Sequence, residues 1–295
     1  MRAQFKRMTT GEIIGKIIML VILILFAVAA LYPFLYTFSM SISAPEHVLK
    51  RDVFFFPKGI GLDGFSLVFS NANIWTAYGN TIFYTLAGTA LNLVVTVLVA
   101  YAISRQHFVL ARPISLFITF TMFFSGGMIP FFIVVSNLGI YNTRLAVLLP
   151  FAASAWNIII ARTFYEQLPE SLVESAKIDG ATDPVILVRI ILPLSGPILS
   201  VLTLYYAVGH WNSYFWPLVL LNKPDLQPLQ IYLYKILVQL KQDVMGGVQI
   251  GISRTIASEQ YKYASIIISI LPIIIVYPFV QKYFAKGVMI GAIKG

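Results

Sequence analysis

Long apolar runs, separated by polar segments, are the main feature of this 295-residue chain. A helix that crosses a membrane needs roughly 20 predominantly apolar residues, because each residue adds about 1.5 Å along the helix axis. Six runs have about that length, and they occupy residues 17–38, 77–103, 113–136, 145–164, 197–221 and 263–284. The pattern predicts an all-α integral membrane protein with six transmembrane helices.

The composition agrees with a membrane protein. Hydrophobic residues make up 58% of the chain and charged residues only 11%, whereas soluble domains average about 25% charged residues. The absence of cysteine excludes disulfides and thiolate metal sites, and the three histidines are not at ligand spacing, so no metal site is expected. The basic residues behind the net charge of +9 cluster at the ends of apolar runs. That arrangement is typical of membrane flanks and argues against nucleic acid as a partner.

The distribution of basic residues predicts the orientation of the chain. The two tails and the short 105–112 loop hold nine of the 21 Lys and Arg residues, opposed there only by Glu12. Cytoplasmic segments carry such an excess. Both termini are therefore expected in the cytoplasm, with the polar segments 39–76 and 222–262 outside the membrane.

A single membrane domain is expected over residues 1–295. It would comprise an N-terminal tail with the first span (1–38), an extracytoplasmic segment (39–76), a five-span core (77–285) and a cytoplasmic tail (286–295). Basic residues precede the first run, as in a signal peptide, but the run is too long for one and lacks a small-residue cleavage site. It is therefore predicted to remain as a helix.

The predicted spans contain almost no ionisable side chains. Apart from His210, and Arg162 near one end of its span, they carry essentially no ionisable residue. Charges inside a membrane are costly and usually have a function. Proton- or sodium-coupled transporters commonly need carboxylates there, and an intramembrane enzyme needs a Ser/His or paired-Asp set. The sequence therefore offers no catalytic residues and disfavours a secondary transporter. A stand-alone channel or secondary transporter for small solutes is kept as the alternative hypothesis.

A nucleotide site is also missing from the sequence. The nearest match to a phosphate-binding loop is GEIIGKI, residues 11–17. It has three residues rather than four between its glycines, and no Ser or Thr follows the lysine. If ATP drives this protein, another chain binds it.

Uncharged polar residues and helix breakers within the spans are candidates for a polar path. In SGGMIP, residues 125–130, two glycines and a proline weaken helical hydrogen bonding near mid-membrane, which is tolerated where the backbone faces protein or a cavity. The alternative is helix packing, or an interfacial belt for the aromatic residues. The candidate path residues are Ser125, Gly126, Gly127, Pro130, Asn157, His210, Trp211, Asn212 and Tyr214.

A polar stretch, LPESLVESAKIDGATDPVILVRIILP, separates the fourth and fifth apolar runs. Pro169 suits the first turn of a short helix, and Gly180 suits a left-handed position just after its end. Thr182 or Asp183 can cap a second helix that has Pro184 at its first position. The stretch predicts a rigid helix–turn–helix whose acidic side chains are suited to a basic partner.

The same stretch resembles a known signature. From Glu174 to Pro193 it reads E-S-A-x3-G-x9-I-x-L-P, which is similar to E-A-A-x3-G-x9-I-x-L-P, the EAA motif of ABC-importer permeases. Ser175 stands where that motif has an alanine, a change between small residues. Three further segments resemble carbohydrate-uptake permeases of the MalG-like type, in particular the LplC/YtcP-like branch: 125–150, 209–218 and 277–295.

This resemblance implies a MetI-like ABC permease core in which residues 170–180 form a coupling helix seated in a groove of an ATPase subunit. Ser175 and Ala176 would allow close approach, Glu174 would engage the ATPase surface, and Gly180 would make the turn. The coupling residues implied in this way are Glu170, Glu174, Ser175, Ala176, Asp179, Gly180, Ile190, Leu192 and Pro193.

The resemblance also implies the partners. They are a second, unlike permease subunit, a dimer of ATPase subunits that binds ATP and Mg on the cytoplasmic side, an extracytoplasmic solute-binding protein, and membrane lipid. This chain would hold no cofactor and would form half of the path of a sugar or oligosaccharide importer in the cell membrane. The tail 286–295 would either reach between the ATPase subunits or anchor the chain through Lys282 and Lys286.

Polar residues after the fifth run are candidates for docking of the solute-binding protein, again by resemblance. They are Asn222, Lys223, Asp225, Gln227 and Gln230. The alternative is an amphipathic helix that lies on the bilayer, for which Tyr232, Leu233 and Tyr234 would also be suited.

Overall fold

The structure, a computed structural model, describes residues 9–105, 107–245 and 259–278. Within these ranges the chain is helical and contains no β-strand. It divides into two compact units, one formed by the residues up to Asn71 with Ile236–Ile270, the other by Ala72–Lys235 with the residues from Leu271 onward. The predicted tail 286–295 lies outside the described residues.

The first unit contains a long membrane helix and two short helices after it. Helix α1 is Thr10–Ile42, α2 is Pro45–Lys50 and α3 is Asp63–Ser70. At its start, the backbone N–H of Thr9 donates to Glu12 Oε2 at 3.0 Å, half of a capping box. None of the most apolar part of α1 is buried in the chain, as expected for a helix whose surface faces lipid or another subunit.

One side chain organises the polar segment that follows α1. Gln260 is fully buried, and its Nε2 group donates to the carbonyl oxygens of Ser41, Ser43 and Gly61 at 3.3, 3.1 and 2.6 Å. Its Oε1 atom accepts the backbone N–H of Gly64 at 3.0 Å. A buried amide with every group bonded in this way stabilises one conformation of the segment.

The second unit contains most of the remaining helices. They are α4 Ala72–Ser104, α5 Ala111–Phe123, α6 Met128–Asn137, α7 Leu145–Leu148, α8 Ala155–Glu166, α9 Glu170–Ile178, α10 Asp183–Ile186, α11 Leu192–Leu194, α12 Gly196–Trp211 and α13 Phe215–Leu220. Two further helices cross the unit boundary, α14 Leu229–Met245 and α15 Glu259–Pro278. Helix α4 lies at the centre and packs against α8 and α12.

The predicted spans are found in two forms. Three helices, α1, α4 and α15, are continuous and long enough to cross a membrane. The other predicted spans are not straight helices: α5 and α6 meet at 120°, α7 and α8 at 44°, and α12 meets the preceding helical segment at 84°. The described ranges therefore hold three long membrane helices, or up to six spans if each bent pair is one span.

Each bend occurs where the sequence weakens the helix. Between α5 and α6, Gly127 has a φ of +83°, a left-handed conformation that glycine adopts without strain. Between α7 and α8 the chain forms a 3-10 turn, Leu149–Phe151, that contains a proline. Before α12, the helix widens to a π-helix over Leu187–Ile191 and then reaches Pro193, which cannot donate a backbone hydrogen bond. The apolar runs predicted over these segments carried no bend angle, because the period and length of a run do not report the angle at a break.

Candidate functional site

The predicted helix–turn–helix is present, and its first helix, α9, ends in a Schellman motif. The N–H of Gly180 donates to the carbonyl of Lys177 at 3.0 Å, and the N–H of Ala181 donates to that of Ala176 at 2.9 Å. Gly180 has a φ of +81°, which confirms the left-handed position predicted after the helix. Pro169 lies one residue before α9 rather than in its first turn, and Thr182 rather than Asp183 is the cap of the next helix.

The two faces of α9 have different surroundings. Val173 and Ala176 are buried, 6% and 8% exposed, in a core cluster of the second unit. Glu174, Ser175 and Ile178 lie on the opposite face, and Ile178 is 85% exposed. The helix is therefore anchored by one face, and its other face is exposed.

Ala176 packs into the core of this chain. The close approach of an ATPase expected at Ala176 stays a prediction. The small residue at this position lets α9 lie close to its own scaffold. Glu174 and Asp179 are exposed, and the described residues offer the carboxylate of Glu174 no ion-pair partner.

Two residues in the second half of the signature pack against the core of this chain. Ile190 and Leu192 are partly buried and pack against the same core cluster, whereas Pro193 is exposed at the start of α11. That cluster also contains Ile158 of α8 and Leu202 of α12. Continuous apolar contact in this cluster joins α9 to α4, α8 and α12.

A buried polar contact lies further along the interface of α4 and α12. The Nε2 atom of His210 is 2.7 Å from Asn92 Oδ1, and Asn92 Nδ2 donates to the carbonyl of Phe151 at 2.5 Å. With its hydrogen on Nε2, the imidazole donates to this amide oxygen. One helical turn away, Thr96 Oγ1 and the Tyr206 hydroxyl are 2.6 Å apart. These contacts join α4 and α12 to the 3-10 turn within the bent pair α7–α8.

The candidate path residues differ in their surroundings. His210 is half-buried, while Asn157 and Trp211 are buried; the Trp211 ring packs edge-to-face on Tyr78 at 6.2 Å. Asn212 is exposed at the C-terminal end of α12, and Tyr214, 43% exposed, packs on Tyr234.

The remaining path residues form the corner between α5 and α6. Ser125, Gly126 and Gly127 are exposed, with Pro130 in the first turn of α6. Phe123 and Phe124 beside them are 78% and 65% exposed. Non-helical backbone at membrane depth needs cover from protein or access to water, so this corner is suited to contact with another chain or a polar path.

The candidate docking loop is held against the N-terminal part of α4. Asn80 Nδ2 donates to the carbonyls of Asp225 and Gln227 at 2.6 and 3.2 Å. Asn142 Oδ1 accepts the backbone N–H groups of Asn222 and Lys223, both at 2.9 Å. The loop therefore has a fixed conformation.

The docking residues differ in exposure. Asn222, Lys223 and Asp225 are exposed, whereas Gln230 is partly buried in the first turn of α14. Gln227 is only 8% exposed, donates to the carbonyl of Leu221 and accepts from Lys235 Nζ. Its side chain supports the loop from within, and a docking role for Gln227 itself stays a prediction.

Comparison with known proteins adds to this geometry. The model of the family "Binding-protein-dependent transport system inner membrane component" matches residues 98–290. This chain belongs to that family. The chain is therefore an integral membrane protein and a component of ABC transport rather than a catalytic enzyme, which confirms the resemblance drawn from the EAA-like signature.

Relatives of this permease match over almost its whole length. It is 36% identical over 274 residues to the polygalacturonan/rhamnogalacturonan transport system permease protein YtcP of Bacillus subtilis, covering 92% of this chain and 96% of that protein. It is 41% identical over 265 residues to protein LplC of the same species, covering 89% of each. A solved structure, described as a bacterial ABC transporter involved in the import of the acidic polysaccharide alginate, matches with 40% identity and a TM-score of 0.86, covering 94% of this chain and 99% of that one. The MetI-like permease fold is thereby confirmed.

Sequence reasoning missed several residues of the permease. Leu172 and Ile178 add apolar surface to α9, and both are exposed. Helical spacing could have found Ile178, because Ser171, Glu174 and Ser175 lie with it on one side when Val173 and Ala176 face inward. Gly88, against which His210 packs, carries no local signal at all.

Proposed function

We propose that this chain is a permease subunit of an ATP-driven, binding-protein-dependent importer for oligosaccharides, and that it couples to ATPase subunits through α9. The observation that carries the proposal is the two-sided character of α9. Val173 and Ala176 anchor it in the core cluster, while Glu174 and Ser175 remain on its outer face. A helix fixed in this way moves together with the membrane helices when a partner pulls on it.

The energy for transport comes from other subunits. Partner ATPase subunits bind ATP with Mg, and their closure moves the attached α9. Because α9 shares close-packed contacts with α4, α8 and α12, the membrane helices follow as a rigid body, which is one of the known forms of switching between two states. Reversing a 1:99 equilibrium between two such states takes roughly 5.5 kcal/mol of differential binding.

The proposed topology has six spans, with each bent pair counted as one, and both termini in the cytoplasm. The excess of basic residues in the two tails and the 105–112 loop supports this orientation. It assigns α9 to the cytoplasmic side and the loop Asn222–Gln227 to the outside. The rigid, exposed tip of that loop, with Lys223 and Asp225, is the proposed contact of the solute-binding protein.

A second, unlike permease subunit completes the path in this proposal. The exposed corner at Phe124–Gly127 supports it, because its backbone needs cover or water at membrane depth. The path residues of the fifth span act in two ways. Asn212 and Tyr214 are accessible to a solute, while His210 holds the helices together.

The substrate class proposed is oligosaccharides that contain uronic acids. Two of the proteins most similar to this chain support it: one is named for polygalacturonan and rhamnogalacturonan transport, the other is described as importing the acidic polysaccharide alginate. A further relative, AraQ of Halalkalibacterium halodurans, is named for arabinooligosaccharides and is only 29% identical.

The test is uptake by the reconstituted assembly. This chain, its neighbouring permease, the ATPase subunits and the binding protein are placed in proteoliposomes, and oligogalacturonate, oligoalginate and neutral arabino-oligosaccharides are compared. The proposal predicts ATP-dependent uptake that is faster for the acidic oligomers. Uptake by this chain alone without ATP would contradict the importer, and preference for the neutral oligomer would contradict the substrate class.

A further inference from the structure

A large cavity of about 1180 Å³ opens beside α9, wholly within the second unit. Its walls are the ends of α4 and α8, the start of α5, the turn between α4 and α5, and the helices α9 and α10. None of the nine candidate path residues lines it. The cavity is therefore separate from the candidate path, and its wall includes the coupling residue Glu170.

The lining carries unpaired positive charge. Arg162 pairs with Glu166 at 2.8 Å, and Lys177 pairs with Asp183 at 3.6 Å. Of the other lining residues, Arg105 and Arg112 form no ion pair with any described carboxylate, and Glu170 is the one other described acid in the wall. The cavity thus has a surplus of cationic groups.

Arg105 is held in place but keeps donors for a ligand. Its Nε and Nη2 groups donate to Ser104 Oγ at 3.1 and 3.0 Å, and Nη2 also donates to the Tyr165 carbonyl at 3.2 Å. The two N–H donors on Nη1 remain. A guanidinium that is oriented by neutral acceptors and has a free donor pair is suited to a phosphate group.

A buried hydroxyl lies beside this arginine. Tyr101 is only 6% exposed and lines the cavity, and its hydroxyl has no hydrogen-bond partner in the part of the chain that the structure describes. The guanidinium carbon of Arg105 lies 4.9 Å from the centre of the Tyr101 ring. Buried hydroxyl groups without a partner are uncommon in proteins, and a bound polar group would supply one.

The rim of the cavity is apolar and faces outward. Val109 is 89% exposed, Leu116 is 63% exposed and Leu98 is 53% exposed, and all three are lining residues. Val109 and Leu116 lie within four residues of Arg112, and Leu98 lies two helical turns before Arg105. Cationic groups in a recess, with apolar side chains at its rim, match a charged headgroup with acyl chains beside it.

We propose that this cavity binds the headgroup of an anionic phospholipid from the membrane leaflet that lies beside the cavity. The phosphate is held by Arg105 and Arg112, the Tyr101 hydroxyl donates to the headgroup, and the acyl chains lie along Leu98 and Leu116. The assignment to the cytoplasmic leaflet rests on the proposed function. Because Val173 and Lys177 of α9 belong to the same wall, a bound headgroup stabilises the seat of α9, and ATP hydrolysis becomes more tightly coupled in anionic membranes.

The test measures retained lipid directly. The complete assembly is purified from nanodiscs that contain phosphatidylglycerol and phosphatidylethanolamine, and native mass spectrometry counts the bound phosphatidylglycerol. Arg112→Gln is the main variant because Arg112 is exposed and bonds to nothing described, so folding should survive. Arg189→Gln, an exposed arginine outside the cavity, is the matched control. Arg112→Gln should lower the affinity for phosphatidylglycerol about fivefold, and the control should leave it unchanged.

The outcomes separate this proposal from the coupling proposal. A selective loss of lipid with the ATPase subunits still bound supports the headgroup site. Equal lipid retention in Arg112→Gln and the control would overturn it. Loss of the ATPase subunits without loss of lipid in Arg112→Gln would also overturn it, because the arginine would then belong to the ATPase interface. Glu174→Lys tests only the coupling, and its lipid count should stay at the level of the unsubstituted chain.

Discussion

The imidazole ring of His210 on α12 lies directly against the backbone of Gly88 on α4, and a β-carbon at position 88 would overlap with the ring. This close approach lets His210 reach Asn92, one turn further along α4. Glycine is required at this point for space rather than for backbone conformation.

Gly88→Ala should destabilise the permease by about 1–3 kcal/mol, because the ring must move and its hydrogen bond to Asn92 is lost. The measurement is the midpoint of thermal unfolding in detergent. Gly79→Ala is the matched control, since Gly79 is on the same helix with no atom near its would-be β-carbon. An equal effect of the two substitutions would contradict the packing described.

The hydrogen bond between Asn92 and His210 should be visible as coupling in a double-mutant cycle. Asn92→Leu and His210→Leu each leave a buried partner without its bond, so the double variant should lose less stability than the sum of the two. Interhelical hydrogen bonds in membranes contribute about 0.6–2 kcal/mol, and the coupling energy should fall in that range. Strictly additive losses would mean that the two side chains do not interact.

Gly180 should tolerate asparagine better than alanine. Its φ of +81° costs a residue with a β-carbon about 1–2 kcal/mol, and nothing crowds the position, so the strain is in the backbone alone. Asparagine adopts this conformation more readily. ATP hydrolysis stimulated by the binding protein should fall in Gly180→Ala and recover largely in Gly180→Asn. Gly196→Ala, where φ is not positive, should have little effect.

Replacing the buried amide of Gln260 by a carboxylate should destabilise the segment that follows α1. In Gln260→Glu, a carboxylate would face the carbonyl oxygens of Ser41, Ser43 and Gly61. Leaving such buried acceptors without a donor costs about 1–3 kcal/mol each, and more with a charge. Limited proteolysis should therefore cut the segment after α1 much faster. Glu259→Gln, which removes only the ion pair with Lys262, should behave like the unsubstituted chain.

Local features of the site could be predicted from the sequence, whereas long-range ones could not. The cap at Gly180 and the break at Gly127 follow from short-range backbone rules, so both were predicted. The 120° angle at that break depends on what packs around it, and no local rule gives it. Helical spacing alone could have predicted that Ala176 faces the core, but the motif was interpreted as a contact with a partner.

Contacts between distant residues had no signal in one sequence. Asn92 and His210 are 118 residues apart, and Gly64 and Gln260 are 196 apart. Polar residues inside apolar runs were recognised as unusual, but their partners depend on how the helices pack. Gln227 is a similar case. Its polar side chain suggested an exposed docking contact, but the side chain is buried.

The central claim, that the outer face of α9 seats an ATPase, is tested most directly by reversing the charge of Glu174. Glu174→Lys is co-expressed with the second permease and the ATPase subunits, and the ATPase that co-purifies is quantified. Glu46→Lys, an exposed glutamate of α2, makes the same change in charge elsewhere. Removing a charged interfacial contact costs about 2–5 kcal/mol. The Glu174→Lys variant should therefore insert normally but bind the ATPase subunits at least about thirtyfold more weakly. The Glu46→Lys variant should assemble fully. Full assembly and coupled ATP hydrolysis with Glu174→Lys would contradict the account.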